Sequence, residues 1–459
     1  MTETVSQTLG RYAAALRFDD LPEPVRRHVR LLVLDTAACA TVGVDSDEVD
    51  LLTRALARVE PAGPAATWAA RRPMSPPSAA MVNATAVHAH ELDDVAVGQH
   101  YGASVLPPAL AVAPLAAGLS GRELMVALVA GCEVAARIQA VVGRTPHAVV
   151  GFHGPSVIAT FAAAVAAGRV LGLDATGLSH AIGHAAQQAC GLMATQHGGM
   201  GKRLLAGVAA RNGTFAALLA AEGFTSGSDM LERPYGGFFP VVSGGADSWD
   251  SGLAAAQPEG GWAMLHTRFK FWACRFPIHP ALEALRQLRT GAVVDATTVR
   301  QVEVQLDPAA YRAVGFGWTP SSRASAQMNL RFCLASYLLD GDVFLDQFTP
   351  EAMARPELLD VIERIDVVEG AAADGLFRRE ASVRVELVAG RQLSTVGRVR
   401  GAADDPETPS LVRGKAERLA RAAGHRDDFV ERLGWEQLDD LPDALALIDR
   451  MRGATDSDQ

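Results

Sequence analysis

The chain has 459 residues, of which 49% are hydrophobic and 20% charged, with a formal net charge of −10. That balance supplies large buried cores and excludes a disordered or collagen-like chain, and a prior of about 150 residues per domain allows two or three domains. The excess of acid excludes a broad electrostatic footprint for nucleic acid. It is concentrated at the end, where residues 401–459 carry 14 acidic and 8 basic side chains. Aromatics are only 6% while alanine is abundant, which favours close-packed helices over a β-sandwich. The apolar stretches Val105–Leu119 and Val157–Gly168 fall short of the roughly 18 residues a membrane span needs, so no membrane partner is expected. The opening MTETVSQTLG has neither a basic nor an apolar region of the secretory kind.

In chain order, the first 265 residues read as helix after helix. Pro24–Cys39 puts Val25, Val29, Leu32 and Thr36 on one stripe behind Asp19 and Asp20. Arg122–Val142, Val157–Leu171 and Leu204–Ala221 are apolar around most of their circumference, which predicts positions inside a bundle. Gly143, Pro146, Gly151 and Gly172 punctuate them. After Trp262 the pattern changes. Pro280–Leu288 and Ser325–Leu339 read as helices. Val302, Val304 and Leu306 alternate with polar residues, as do Val383, Val385 and Leu387, and Ile365–Val368 is a third candidate strand. Helix returns over Leu411–Ala423. Residues 266–400 are therefore expected to form a smaller α+β unit, between a helical part at 1–265 and another at 401–459.

The five cysteines are far apart, set in apolar context and lack any CxxC pair, which predicts buried thiols in a reducing cytoplasm and no cysteine-ligated cluster. Only three of the 42 basic residues are lysines: Lys202, Lys270 and Lys415. Against an arginine background, a lysine marks a place that needs a compact, titratable ammonium.

Four segments carry chemistry. Asn83–Pro107 holds His88, His90, Glu91, Asp93, Asp94 and His100. An HxH metal site is disfavoured there: were Ala84–Asp94 helical, His88 and His90 would project about 200° apart. His90 and Asp93 would then share a face, as in a carboxylate-oriented imidazole. Gly151–Ser156 puts His153 near a helix N-terminus, where anions are favoured. Gly198–Arg203 fails as a phosphate loop, because Gln196 stands where glycine is required and Arg203 where Ser or Thr is. Lys202 there is still a candidate carboxylate partner. Phe269–Pro280 spreads Lys270, Arg275 and His279 through aromatics at the border of the two units, where binding clefts form.

Together these segments resemble the MmgE/PrpD family, over nearly the whole chain. The resemblance is carried by Leu34-Asp35-Thr36, by Ala89-His90-Glu91-Leu92-Asp93-Asp94 with His100 after it, and by Gly131-Cys132-Glu133-Val134 with Arg137-Ile138. It continues through Gly151-Phe152-His153, Lys202-Arg203-Leu204 with Gly207–Ala210, Gly223-Phe224-Thr225, Lys270 with His279-Pro280, and Leu338–Gly341. It implies a mainly α fold: a large all-helical domain built from both ends of the chain, and an α+β lid. It also implies a homodimer, a small anionic di- or tricarboxylate as substrate, and chemistry with neither metal nor organic cofactor. The family's acid–base residues map onto Asp93, His100, His153 and Lys202, with His90, Tyr101, Lys270 and Arg275 expected to bind substrate. The departures are Tyr101-Gly102-Ala103 after His100, a shortened acidic stretch, Gln327 where a lysine is common, and Cys274-Arg275 in place of a double cysteine.

The chemical problem common to such enzymes is a carbanion beside a carboxylate, which needs nearby cations. Dehydration is the first expectation, and decarboxylation or epimerisation on the same groups is the alternative. A non-catalytic carboxylate-binding helical dimer and a metal hydrolase on His88 and His90 are the readings from other classes.

Overall fold

The computed structural model describes residues 3–68, 72–96, 99–143, 150–245, 249–256, 261–319, 322–371 and 380–452. The fold is mainly α, with one small sheet. Helix Glu23–Gly43 starts on a proline in its first turn and is buried on nearly every face from Leu31 onward, more deeply than its single stripe suggests. Around it pack Pro76–His88, Tyr101–Val112 and Gly121–Val142. The last begins with a capping box, in which the Ser120 hydroxyl accepts from the Glu123 N–H and the Glu123 carboxylate from the Ser120 N–H. Gly154–Val170 and Gly201–Ala221 cross closely. At Gly213 an added Cβ would lie 2.4 Å from the Thr160 carbonyl, so only glycine permits that approach.

Two helices, Gly121–Val142 and Gly201–Ala221, are in fact long and apolar enough to cross a membrane by length and composition, contrary to the expectation from the apolar runs. The alanines and glycines that interrupt the strongest runs still count toward helix length. The first of the two is a core helix wrapped by its neighbours. Tyr101–Val112 is helical despite Pro107 and Pro108 inside it, and every residue of it is buried.

The sheet has the order β2-β1-β3-β4, with β1 Val299–Leu306, β2 Ile365–Glu369, β3 Glu380–Leu387 and β4 Gln392–Arg398. β1 runs parallel to β2 and antiparallel to β3, with Val302 opposite Val385 and Val304 opposite Val383. The buried face of this register carries the valines whose alternation predicted the strands, and helix His279–Arg289 packs on β3 and β4. β4 was not expected. It is an exposed edge strand with one fully buried residue, Gly397, so burial leaves little apolar alternation to read.

Ser325–Leu339 is not one helix. It breaks at Asn329, whose backbone is extended and whose side chain accepts from the Phe332 N–H at 2.9 Å, capping Leu330–Asp340 and separating it from Arg323–Met328. Helix Thr408–Ala422 packs against Glu23–Gly43, and its Lys415 reaches Asp35 at 2.6 Å. All five cysteines are free, and four are buried. Cys190 is exposed, because it sits beyond the end of Ala175–Gln188 rather than inside a helix.

Candidate active site

The loop that carries the site starts where helix Pro76–His88 stops. Helical projection across Ala84–Asp94 therefore fails: the helix ends at His88, and Glu91 has φ +58°, the only left-handed non-glycine residue among those described. Buried backbone carbonyls outside a helix or strand need donors from elsewhere. Here side chains from three distant stretches of chain supply them to the loop. Gln327 donates to the His90 carbonyl at 2.9 Å, Lys270 to the Glu91 carbonyl at 3.0 Å and Lys415 to the Leu92 carbonyl at 2.5 Å. Local periodicity cannot register such partners, which is why the turn was read as helix.

All three lysines converge on this loop. Lys202, the second residue of its helix, donates to Glu91 Oε2 at 2.7 Å and to His88 Nε2 at 3.2 Å. Arg203 bonds the same Glu91 oxygen, and also Gln327. Lys270 lies 3.5 Å from Glu91 Oε1 and 3.7 Å from Asp93 Oδ1. Asp93 Oδ2 accepts from two imidazoles, His88 Nδ1 at 2.9 Å and His100 Nδ1 at 3.1 Å. His100 Nδ1 also faces the Asp94 carbonyl at 2.8 Å, while Nε2 makes no hydrogen bond among the described residues. The two rings stand 4.6 Å apart. Asp94 caps helix Tyr101–Val112 by accepting from the Tyr101 N–H at 2.9 Å and the Gly102 N–H at 2.8 Å. A Cβ at Gly102 would meet both Thr36 and Asp94, so the departure Tyr101-Gly102 is what lets this cap close.

Burial and charge act in opposition here. Burial would raise the Glu91 and Asp93 carboxyls, but Lys202, Lys270 and Arg203 around the first, and the donating His88 and His100 imidazoles with Lys270 around the second, hold both well below the usual range. Burial takes His88 down to about 3, so it is a neutral imidazole that donates through Nδ1 and accepts from Lys202 through Nε2. Burial lowers Lys202 to about 8 against the pull of Glu91. Burial, and then the neighbouring Asp93 charge, raise Asp94 to about 7.

Of the residues the sequence singled out, Asp93, His100, Lys202 and Lys270 meet in one network. Arg275 lies beside it: its N–H donates to the Gln327 carbonyl at 2.9 Å, and its guanidinium to Gln196 at 2.7 Å and the Ala313 carbonyl at 2.9 Å. His153 caps helix Gly154–Val170, with Nδ1 3.1 Å from the Ser156 hydroxyl, and that helix packs on the one carrying Lys202. The His90 ring turns to the Val42 carbonyl at 3.1 Å, and burial lowers it to about 4. Because the helix stops at His88, His90 and Asp93 share no helical face; His88 takes the place beside Asp93. Tyr101 is fully buried, and the groups that raise its phenol after burial are Cys132 and Glu133, on Gly121–Val142, and then Asp94. His88, Glu91, Asp94, Arg203, Gln327 and Lys415 are site components to which the sequence assigned no catalytic or substrate-binding role. The scarcity of lysine had nonetheless marked Lys415.

Ligand atoms of His88, Asp93 and His100 lie within 4.8 Å of one another, close enough for a cation by geometry. Two ammonium groups adjoin them, Lys202 on His88 and Lys270 on Asp93, so the donor set suits a proton network better than a divalent ion.

Two family models match the chain, the MmgE/PrpD N-terminal domain over residues 7–249 and the MmgE/PrpD C-terminal domain over residues 272–434. The chain is 30% identical to the cis-aconitate decarboxylase-like protein oryM of Aspergillus oryzae, covering 97% of each chain. It is 29% identical to a cis-aconitate decarboxylase of Aspergillus terreus over 97% of this chain and 96% of that one. With human cis-aconitate decarboxylase the identity is 23%, over 80% of this chain and 77% of the other. With both of the family's domains matched in order, and with the lysines and imidazoles of its motifs gathered on one loop, this chain belongs to the MmgE/PrpD family.

Proposed function

We propose that the protein is a lyase that acts on a small polycarboxylate, using no metal or organic cofactor, with His100 as the proton-transfer group. The observation that carries this reading is one arrangement: an imidazole fixed at Nδ1 by Asp93 and the Asp94 carbonyl, its Nε2 uncommitted, beside Lys202, Arg203 and Lys270. Fixing Nδ1 selects the tautomer and aims Nε2 at a ligand. The cations stabilise negative charge as it develops next to a carboxylate. In decarboxylation, the bond between carbon and one carboxylate breaks, carbon dioxide leaves, the electron pair stays on the remaining carbon, and that carbanion takes a proton from Nε2 of His100, which enters this step as the imidazolium. In dehydration, the base removes a proton alpha to a carboxylate and hydroxide departs with a proton. The activity named for the relatives supports decarboxylation ahead of dehydration, although dehydration was the first expectation from the family resemblance.

The decisive measurement is a screen of di- and tricarboxylates in deuterium oxide, read by NMR. Deuterium entering a C–H position, with or without net product, reports a working acid–base group, and release of carbon dioxide, as against loss of water with every carboxylate retained, separates the two reactions. His100→Ala is expected to lose turnover by about 100-fold or more while keeping its circular dichroism. Near-normal turnover by the folded variant removes His100 from the mechanism. We also propose that residues 266–400 act as a lid on a helical body made from 1–265 and 401–459, that the enzyme is a homodimer, and that its free thiols suit the cytoplasm.

A further inference from the structure

A second group of cations lies outside the network around Asp93. A cleft of about 520 Å³ opens between the chain just after helix Val5–Ala15, the start of Gly121–Val142 and the end of Gly154–Val170. Its charged lining is Arg17, Arg122, Arg169 and Glu123, and Leu16, Leu115, Leu119 and Val126 give it apolar walls. None of His88, Glu91, Asp93, His100, Lys202 and Lys270 borders it.

The three guanidiniums have carbonyls and a ring as partners, and no ion pair joins any of them to a carboxylate among the described residues. Arg17 Nη1 donates to the Ala14 carbonyl at 2.5 Å and the Leu16 carbonyl at 3.1 Å. Arg169 donates to the same two oxygens, at 2.8 Å and 3.1 Å. Two like charges are thus held at one pair of carbonyls. Burial, and then the Arg17 charge, lower Arg169 below the ordinary guanidinium value. The Arg122 guanidinium lies over the Phe18 ring, 4.9 Å from its centre. Glu123, the one acid of the lining, accepts from the Ser120 N–H at 2.8 Å and the Ser120 hydroxyl at 2.7 Å. Of the charges just outside, Arg26 also lies over Phe18, at 4.1 Å, Asp20 accepts from the Arg17 N–H at 2.8 Å, and Asp19 is exposed.

Capping the end of Val5–Ala15 accounts for one arginine at those carbonyls. It does not account for a second there and a third on the same cleft. A guanidinium is a planar fork matched to carboxylate or phosphate oxygens, and arginines gathered without acids are stabilised by an anion. A carboxylate offers two oxygens, whereas a phosphate monoester offers three and carries a charge approaching −2 near neutral pH, which suits three forks. The apolar walls suit a carbon body on its ester oxygen. We propose that this cleft binds a small organic phosphate monoester, with the phosphate at Arg17, Arg122 and Arg169 and the body against the leucines and Val126, apart from the catalytic site.

The test is calorimetry on the full chain at fixed ionic strength, with phenyl phosphate, inorganic phosphate and benzoate as probes. Phenyl phosphate is expected to bind wild-type protein about tenfold or more tightly than either of the others. Arg122→Gln and Arg17→Gln, both at exposed positions, are each expected to weaken it by about tenfold with circular dichroism unchanged, while Lys202→Gln leaves it unaltered. Wild-type protein that fails to bind phenyl phosphate at about 10 mM overturns the proposal. So do folded Arg122→Gln and Arg17→Gln proteins with unchanged affinity, and so does an affinity lost in folded Lys202→Gln, which puts the anion in the network around Asp93. Inorganic phosphate binding as tightly as phenyl phosphate removes the carbon body, and benzoate doing so removes the phosphate; either result overturns the assignment. The lyase reading is untouched by every one of these outcomes.

Discussion

Asp94 offers a prediction that can be worked out from its surroundings. Its carboxyl is buried, accepts two backbone N–H bonds at the start of Tyr101–Val112, and sits beside the ionised Asp93. Burial and then Asp93 raise it from 3.8 to about 7. A carboxyl raised on folding binds its proton more tightly in the folded state. Its contribution to stability is therefore complete below about pH 4 and is lost as pH rises through about 7. The whole effect is about 4 kcal/mol, of which about 3 kcal/mol falls between about pH 5 and pH 8. Asp94→Asn abolishes the titration but replaces one acceptor oxygen by an NH2 group, costing about 1–2 kcal/mol of cap. The difference between variant and wild type is the informative quantity, because the other titrating groups cancel in it. By urea unfolding, the stability of Asp94→Asn relative to wild type is expected to rise by about 3 kcal/mol between about pH 5 and pH 8, from near equality at the lower pH to the more stable protein at the higher. If the two proteins keep a constant difference across that range, the account of Asp94 as a carboxyl protonated in the folded state is wrong.

Two further outcomes follow from the same network. Lys202 is lowered to about 8 by burial, so substrate affinity is expected to fall as pH rises through about 8, and Lys202→Arg should move that fall to higher pH; an unshifted profile would take Lys202 out of substrate binding. Lys415→Met strands the buried Asp35 carboxylate, one of whose oxygens has no hydrogen-bond partner among the described residues, and should cost about 3–5 kcal/mol in thermal or urea unfolding, most of it restored by pairing the change with Asp35→Leu. A loss below about 1 kcal/mol in the single variant would show that the pair is not desolvated as its burial indicates.

Much was legible in the chain before any coordinates. The stripe and the all-round apolar helices between Pro24 and Ala221 declare themselves, because a buried helix surface repeats every few residues. So does the valine alternation that becomes the β1–β3 register, since a strand with one buried face must alternate. The scarcity of lysine pointed at three positions that all prove buried around one loop. What periodicity could not carry was the course of the chain from His88 to Asp94. There the backbone follows donors that come from Gln327, Lys270 and Lys415, as many as 323 residues away in sequence, and not the preferences of its own side chains. Tertiary structure alone therefore decided that His88 rather than His90 flanks Asp93, and that Glu91 turns inward. Sequence sets which faces must be buried; which charges then meet depends on long-range contacts whose energies no local pattern records.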